Sequence, residues 1–162
     1  RLFNDRLGQA VKRAQRTSSS LALMFVDLDK FKPVNDTYGH AAGDFMLQTV
    51  AKRLSGCLRA SDTAARVGGD EFLVLLPDIP SGADALAVAE KIRSALAEPC
   101  TSPDGIELCI SASIGIAIYP EHAGSAHELL RLGDRAMYEA KSAGGNRVKL
   151  FSPEDGAGHS AA

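Results

Sequence analysis

The residues with the clearest chemical potential are two acids that directly follow a pair of glycines. The segment reads Arg66-Val67-Gly68-Gly69-Asp70-Glu71-Phe72 and continues as an apolar run to Leu76. Paired glycines between two β-prone runs predict a hairpin with a mirror-image turn, which needs positive φ. Carboxylates at the start of a strand that enters a core are unfavourable unless a cation meets them. The turn therefore indicates a metal or phosphate site against the edge of a sheet.

A third acid, Asp27, lies near the end of an earlier apolar strand. Taken alone, it is best explained as a strand-end acid that reaches solvent or caps the next turn. Neighbouring strands lie about 5 Å apart, however, and two carboxylates that close do not both stay ionised without a cation. Asp27 and Asp70 together therefore predict a Mg²⁺ site, since Mg²⁺ prefers oxygen ligands and leaves part of its shell to phosphates. Because strand alternation turns Glu71 to the other face, we expect it to support the ligands or to serve another task.

The composition favours one soluble domain. The chain has 162 residues, 45% of them hydrophobic, and a net charge of −2 with no basic run, which argues against a nucleic-acid surface. No apolar stretch is long enough to span a bilayer, so we expect no membrane contact. The three cysteines (Cys57, Cys100 and Cys109) lack the spacing of metal ligands and fit a reducing, cytoplasmic compartment.

Hydrophobic periodicity predicts four helices and a set of strands, with a polar loop over 29–39. The predicted helices cover 1–16, about 42–59, about 85–96 and about 129–140. The predicted strands cover 21–28, 63–67, 72–76, 106–110, 113–119 and 148–151, with Gly115 as a bulge. This order predicts an α+β sandwich in which helices flank a central, mostly antiparallel sheet. Residues 152–162 are predicted to be a disordered tail.

Several segments together resemble the GGDEF family, the diguanylate cyclases of bacterial signalling. The resemblance rests on the segments 27–44 and 66–72, on Tyr119-Pro120-Glu121-His122, and on the stretch from Ala136 to Lys141. It extends from the first helix to Phe151, which implies one GGDEF domain over 1–151. The implied fold is similar to the nucleotidyl cyclase and ferredoxin-like catalytic domains.

The resemblance also implies a reaction: two GTP molecules condense into cyclic di-GMP and release two pyrophosphates. Each domain of a homodimer holds one GTP, and the 3′-hydroxyl of one nucleotide attacks the α-phosphate of the other. Metal ions support such a step by activating the hydroxyl and neutralising phosphate charge. Sensory domains upstream of this segment and a location in the cytoplasm, free or on a membrane-attached protein, are expected from the same resemblance.

The site residues implied by the resemblance fall into four groups. The metal, Mg²⁺ or Mn²⁺, is held by Asp27, Asp70 and the carbonyl of Leu28, and the catalytic acids are Asp70 and Glu71. The substrate-binding residues are Lys30 and Phe31 through their amides, Gly68, Gly69 and Lys141 at the phosphates, and Asn35 with Asp44 at guanine. A carboxylate accepts from the N1–H and exocyclic amine of guanine, a donor pair that adenine lacks. The product-inhibition site consists of Arg59, Asp62 and Lys91.

Several of these residues also have a simpler structural interpretation. Asp44 and Lys141 suit the first and last turns of helices, and Asn35 suits a loop turn. One position departs from the family pattern: Gly145 stands where the resemblance implies an arginine on the triphosphate. Loss of such a contact would weaken binding by about 1.5–3 kcal/mol. The second hypothesis is therefore a catalytically weak domain that senses GTP or cyclic di-GMP.

Overall fold

A five-stranded sheet with helices on both faces forms the body of the protein. The computed structural model describes residues 2–153. The helices are α1 (Leu2–Thr17), α2 (Phe31–Tyr38), α3 (His40–Gly56), α4 (Gly82–Ala97) and α5 (Ala126–Ser142). The strands are β1 (Leu21–Asp29), β2 (Thr63–Arg66), β3 (Glu71–Leu76), β4 (Cys100–Thr101), β5 (Glu107–Leu108), β6 (Ser111–Tyr119) and β7 (Arg147–Leu150). Within the described residues, no helix is long and apolar enough to cross a membrane.

The strand order of the main sheet is β2-β3-β1-β6-β7, and only the β6–β7 pair is parallel. The strand β1 is therefore central and pairs antiparallel with both β3 and β6. The short strands β4 and β5 pair with each other in a separate ribbon. The predicted α+β sandwich with a mostly antiparallel sheet is confirmed.

Alternation along β1 divides the core into two layers. The even-numbered residues from Ala22 to Leu28 pack in one cluster with α2, α3 and α4, while Leu21 and Leu23 pack in the other with α1 and α5. Because side chains alternate between faces, Asp27 and Asp29 continue the row of Leu21 and Leu23. The acids of β1 therefore lie where the apolar row on the α1–α5 side ends.

The predicted loop over 29–39 is wrong in its middle, because residues 31–38 form the helix α2. The helix was not predicted because Pro33, Asn35 and Asp36 are typical of turns. Pro33 is tolerated because it lies in the first turn of the helix, where its missing N–H removes no hydrogen bond. Phe31 and Val34 are buried against the sheet and hold the helix in place. Lys30, in the left-handed conformation with φ of 56°, turns the chain from β1 into this helix.

The glycine predictions also need correction. The residues with positive φ do not include Gly68 or Gly69, so the predicted mirror-image turn is wrong. The loop between β2 and β3 is instead held by Arg66, whose Nε donates to the carbonyls of Gly68 at 3.0 Å and Gly69 at 3.1 Å. Gly115 forms no bulge, since it pairs in continuous register with Phe25.

A side chain at Gly115 would meet α5, because a Cβ there would lie 2.1 Å from the backbone nitrogen of Met137. Glycine at this position therefore lets α5 pack directly on β6. The strand predicted over 106–110 is also shorter than expected, because only Glu107–Leu108 pairs, and it pairs with β4. The predicted disordered tail over 152–162 lies, from residue 154 onward, outside the described residues.

Candidate functional site

The acids predicted to act together meet where β1 and β3 end side by side. Asp27 is the direct cross-strand partner of Glu71, and the N–H of Leu28 donates to the carbonyl of Asp70 at 3.0 Å. Directly opposed residues share a face of the sheet, so the expectation that Glu71 turns away from Asp27 is wrong. Alternation along one strand says only that Glu71 and Asp70 point to opposite faces. The register between β1 and β3 decides which of them lies beside Asp27.

Asp27 carries the strongest electrostatic perturbation in this cluster. Its side chain is only 15% exposed, and burial raises its pKa to about 6. Lys141 lowers this pKa, while the negative charges of Asp70 and Glu71 raise it further. The net rise shows that the protein leaves the charge of Asp27 only partly compensated.

One oxygen of Asp27, Oδ1, is buried and has no hydrogen-bond partner among the residues that the structure describes. Such an orphaned acceptor is unfavourable unless something else binds it. Within residues 2–153, no three His, Cys, Asp or Glu side chains are grouped as a metal site. Asp27, Asp70, Glu71 and the Leu28 carbonyl nevertheless supply oxygen atoms at this edge of the sheet, the ligand type that Mg²⁺ prefers when phosphates complete its shell.

Lys141, in the last turn of α5, provides the positive charge nearest to these acids. Its Nζ lies 3.3 Å from Oδ2 of Asp27 and 3.9 Å from Oδ1 of Asp29. The lysine is 32% exposed, so its ammonium also reaches solvent. It lies at the place where a cation and a polyphosphate would meet the acids.

The predicted phosphate turn lies immediately after β1. Lys30 precedes α2 and Phe31 opens it, and the first N–H groups of a helix have no partners within the helix. These amides and the positive end of the helix dipole suit an anion. Across the cluster, Gly69 leaves open space around its Cα, while a Cβ at Gly68 would lie 3.1 Å from Oε2 of Glu71.

The predicted guanine pair, Asn35 and Asp44, lies on α2 and α3. Asn35 packs so closely on Gly43 that a Cβ there would lie 1.7 Å from its Oδ1. Gly43 therefore permits the position of Asn35, a role that sequence reasoning missed. Asp44 is exposed and lines a cavity of about 350 Å³ between α3 and the turn over 102–106.

Of the predicted inhibitory residues, Arg59 and Asp62 follow the C-terminal end of α3, and Lys91 lies on α4. Arg59 is 51% exposed, and its Nη2 donates to Oδ1 of Asp62 at 2.7 Å and to the carbonyl of Pro77 at 2.7 Å. Asp62 is 2% exposed. Burial raises the pKa of the Cys57 thiol, at the end of α3, and the positive charge of Lys91 on α4 partly lowers it again. These contacts hold the Arg59 guanidinium in one orientation, and Lys91 lies close to the same end of α3.

The sequence analysis assigned no role to Asp29. Its Oδ1 accepts from Ser113 at 2.7 Å, and its Oδ2 accepts from Ser111 at 2.7 Å and from the backbone N–H of Asn146 at 2.8 Å. These donors come from β6 and from the loop over 143–146, so no spacing along the chain signals them. Of the two β1 acids, only Asp27 keeps an oxygen without a partner.

Comparison with known proteins agrees with the resemblance in the sequence. A profile of the family described as "Diguanylate cyclase, GGDEF domain" matches residues 1–147. Diguanylate cyclase TpbB of Pseudomonas aeruginosa is 48% identical over 139 residues, which is 86% of this chain and 32% of that protein. The chain therefore spans about a third of the length of this relative.

Two solved structures share the fold. The crystal structure of the GGDEF domain of TpbB (YfiN) from Pseudomonas aeruginosa matches with a TM-score of 0.91 at 45% identity, covering 93% of this chain and 94% of that one. The GGDEF domain of DgcB from Caulobacter crescentus, in complex with c-di-GMP, matches with a TM-score of 0.85 at 29% identity, covering 91% and 87%. The chain belongs to the GGDEF family of diguanylate cyclase domains. The predicted family is confirmed, and the relatives named diguanylate cyclases agree with the predicted enzyme class.

Proposed function

We propose that this domain condenses two GTP into cyclic di-GMP and two pyrophosphates, with Mg²⁺ or Mn²⁺ as cofactor. The observation that carries the proposal is the buried, unpartnered Oδ1 of Asp27 beside Asp70, Glu71 and Lys141. A site designed for stability alone would pair this oxygen with a donor. The cluster instead resembles a site that is completed by a cation and a polyphosphate.

The proposed metal ligands are Asp27, Asp70 and the Leu28 carbonyl. When bound, the metal supplies charge neutralisation at the phosphates and a lower pKa for the attacking hydroxyl. The amides of Lys30 and Phe31 bind phosphate oxygens, with Gly68 and Gly69 opposite them. In each half-reaction the O3′–Pα bond forms, the bond from Pα to the pyrophosphate oxygen breaks, and the hydroxyl proton passes to the acid pair at 70 and 71.

Lys141 has two tasks in this proposal. Without nucleotide it partly neutralises Asp27, at 3.3 Å. With GTP and the metal in place, its ammonium turns to the terminal phosphates, where it stabilises the charge that leaves with pyrophosphate. Its partial exposure supports this movement.

The proposed guanine contacts are Asn35 and Asp44. Asp44 accepts from the N1–H and the exocyclic amine, and the amide of Asn35 donates and accepts beside it. ATP would leave these groups unpaired, which is a strong basis for rejection. The snug contact between Asn35 and Gly43 supports this task, because it holds the amide in one place.

Two copies of the domain are needed, because each contributes one bound GTP and half of the reacting atoms. The product in turn binds at Arg59, Asp62 and Lys91 and lowers activity. Support comes from the exposed, preordered guanidinium of Arg59, whose planar fork suits guanine acceptors. In the full-length protein, upstream sensory domains set how often two copies meet.

The test is a product assay with Mg²⁺ and GTP at two protein concentrations. Wild type should form cyclic di-GMP, and specific activity should rise with protein concentration because two copies must meet. Asp70→Ala should abolish product formation, whereas Asp134→Ala, at an exposed position on α5, should not. Product formation by Asp70→Ala, or a specific activity that is constant over a wide dilution series, would contradict the proposal.

The second candidate is a domain that binds GTP or cyclic di-GMP with little turnover. The observation in its favour is Gly145, where the family resemblance implies an arginine. Arg147 does not replace it in the structure, since its Nε donates back to the Gly145 carbonyl at 3.1 Å. GTP binding without any cyclic or linear dinucleotide at high protein concentration would favour this candidate.

A further inference from the structure

Two acids of β1, Asp27 and Asp29, lie on the same face of the sheet but differ in their hydrogen-bond partners. Asp27 keeps a buried oxygen without a partner, whereas both oxygens of Asp29 accept hydrogen bonds. Both side chains are largely buried, at 15% and 13% exposure. Burial alone therefore does not explain the difference. Donors of the protein bind both oxygens of Asp29, whereas Oδ1 of Asp27 remains available to an external cation.

The donors to Asp29 join three parts of the fold. Ser111 and Ser113 come from β6, next to β1, and Ser113 is fully buried. The third donor is the backbone N–H of Asn146, in the loop that follows α5. A charged acceptor strengthens such hydrogen bonds, roughly doubling them relative to neutral ones. The carboxylate thus ties the end of α5 to the strand that carries Asp27.

The same loop passes close to the carboxylate of Asp29 at Gly145. Gly145 has φ of +74°, and a Cβ there would lie 3.1 Å from Cγ and from both oxygens of Asp29. Any side chain would press on the carboxylate and would also strain the backbone. Gly145 therefore has a physical reason to be glycine in this chain.

We propose that Asp29 is a positioning residue that, with Gly145 and Asn146, forms a carboxylate clamp on the loop after α5. The clamp holds Lys141 beside Asp27, with its Nζ 3.9 Å from Asp29 itself. Lys141 is thereby placed to meet the triphosphate instead of sampling its many rotamers. This inference rests on the proposed use of GTP, and it gives Asp29 no contact with the reacting atoms.

Asp29→Asn is the sharpest perturbation, because a carboxamide has the same shape but only one acceptor oxygen. It therefore replaces one of the two accepting oxygens by an NH2 donor, so that the three present donors share a single acceptor or a serine must reverse its hydrogen bond, and it removes the negative charge near Lys141. We expect KM for GTP to rise on the order of tenfold, equivalent to about 1.4 kcal/mol. We expect kcat to change far less, and the Asn146 amide to exchange hydrogen faster.

Gly145→Ala perturbs the clamp from the other side and should raise KM in the same way. Gly144→Ala is the matched control, because it also sits at positive φ, +123°, yet its Cβ would meet only the guanidinium of Arg147, at 3.1 Å. The control should lose stability while keeping a KM close to wild type. Equal increases of KM in the two alanine variants would overturn the clamp, since strain in the loop would then explain both.

A double-mutant cycle tests whether Asp29 acts through Lys141. In a Lys141→Met background, Asp29→Asn should add little to the loss of GTP affinity. Additive losses would overturn the positioning role, as would unchanged exchange at Asn146 in Asp29→Asn. If wild type binds GTP without turnover, the proposed reaction fails, and the same cycle measured as GTP dissociation constants still decides the inference. Absence of GTP binding in wild type would overturn both.

Discussion

Asp27→Asn is expected to stabilise the metal-free protein while destroying its response to divalent cations. The native carboxylate is buried, it has an orphaned oxygen, and its pKa is raised to about 6. Asparagine has nearly the same volume and no charge to desolvate. A functional site that lowers stability is a common trade-off in enzymes, and here it has an identifiable cause.

The size of the effect follows from the pKa. A difference of one in pKa corresponds to about 1.4 kcal/mol, so the rise at Asp27 amounts to about 3 kcal/mol before solvent screening. Residual exposure of the side chain, which lets solvent screen its charge, reduces the expected gain to about 1–2 kcal/mol. For a domain of this size, that gain raises the melting temperature by about 2–8 °C.

The pH dependence has a definite sign. Because the folded-state pKa of Asp27 is raised, the folded protein holds this proton more tightly than the unfolded chain. The associated stability is complete below the ordinary carboxyl pKa and is lost as the pH rises through about 6. The melting temperature of Asp27→Asn should therefore match wild type near pH 4 and exceed it increasingly up to about pH 7.

Thermal unfolding in a chelator, then with Mg²⁺ and GTP, is the assay. The additions should raise the melting temperature of wild type and leave that of Asp27→Asn nearly unchanged. Asp134→Asn, an exposed acid on α5, is the control and should follow wild type at every pH. If Asp27→Asn melts below wild type at all pH values in the chelator, the burial argument is refuted.

Three further predictions concern the surrounding residues. Gly43→Ala should reduce the preference for GTP over ATP at least tenfold in competition binding, because its Cβ would collide with Asn35. Arg53→Ala should lower the free energy of unfolding by about 1.5–3 kcal/mol in urea, because this arginine donates to the carbonyls of Ala95 and Pro99 (3.3 and 3.0 Å) and to that of Glu98 at the end of α4. Lys141→Met should tighten Mg²⁺ binding to the nucleotide-free protein in calorimetry, because it removes a cation that competes for Asp27.

Each of these has a control and a result against it. Gly56→Ala, in the same helix with no atom near its Cβ, should keep the GTP preference, and an equal loss there would remove the role of Gly43. Lys52, exposed beside Arg53, serves as control for both charge changes. If Arg53→Ala and Lys52→Ala have the same free energy of unfolding, the stabilising role of Arg53 is contradicted. If Lys141→Met binds Mg²⁺ more weakly than wild type, the competition between Lys141 and the cation for Asp27 is contradicted.

Patterns along the chain predicted much of this protein. Apolar periodicity identified four of the five helices and the strands of the main sheet, because burial on one face imposes a period that the residues themselves reveal. The acids Asp27 and Asp70 were identified because charged residues interrupt otherwise apolar strands. Helix α2 was missed because Pro33, Asn35 and Asp36 are turn formers locally, and only the burial of Phe31 and Val34 explains the helix.

The order of residues along the chain establishes which segments can form helices and strands and which acids enter the core. Which of those acids are neighbours, and which already accept hydrogen bonds, depends on how the segments pack. Cross-strand register placed Glu71 beside Asp27, and donors more than eighty residues away in the chain satisfied Asp29. Likewise, Gly43 and Gly115 are explained by what a Cβ would meet, and Gly145 is explained both by its positive φ and by the carboxylate beside it. Such contacts join residues far apart in sequence, and no local pattern encodes the distance between them.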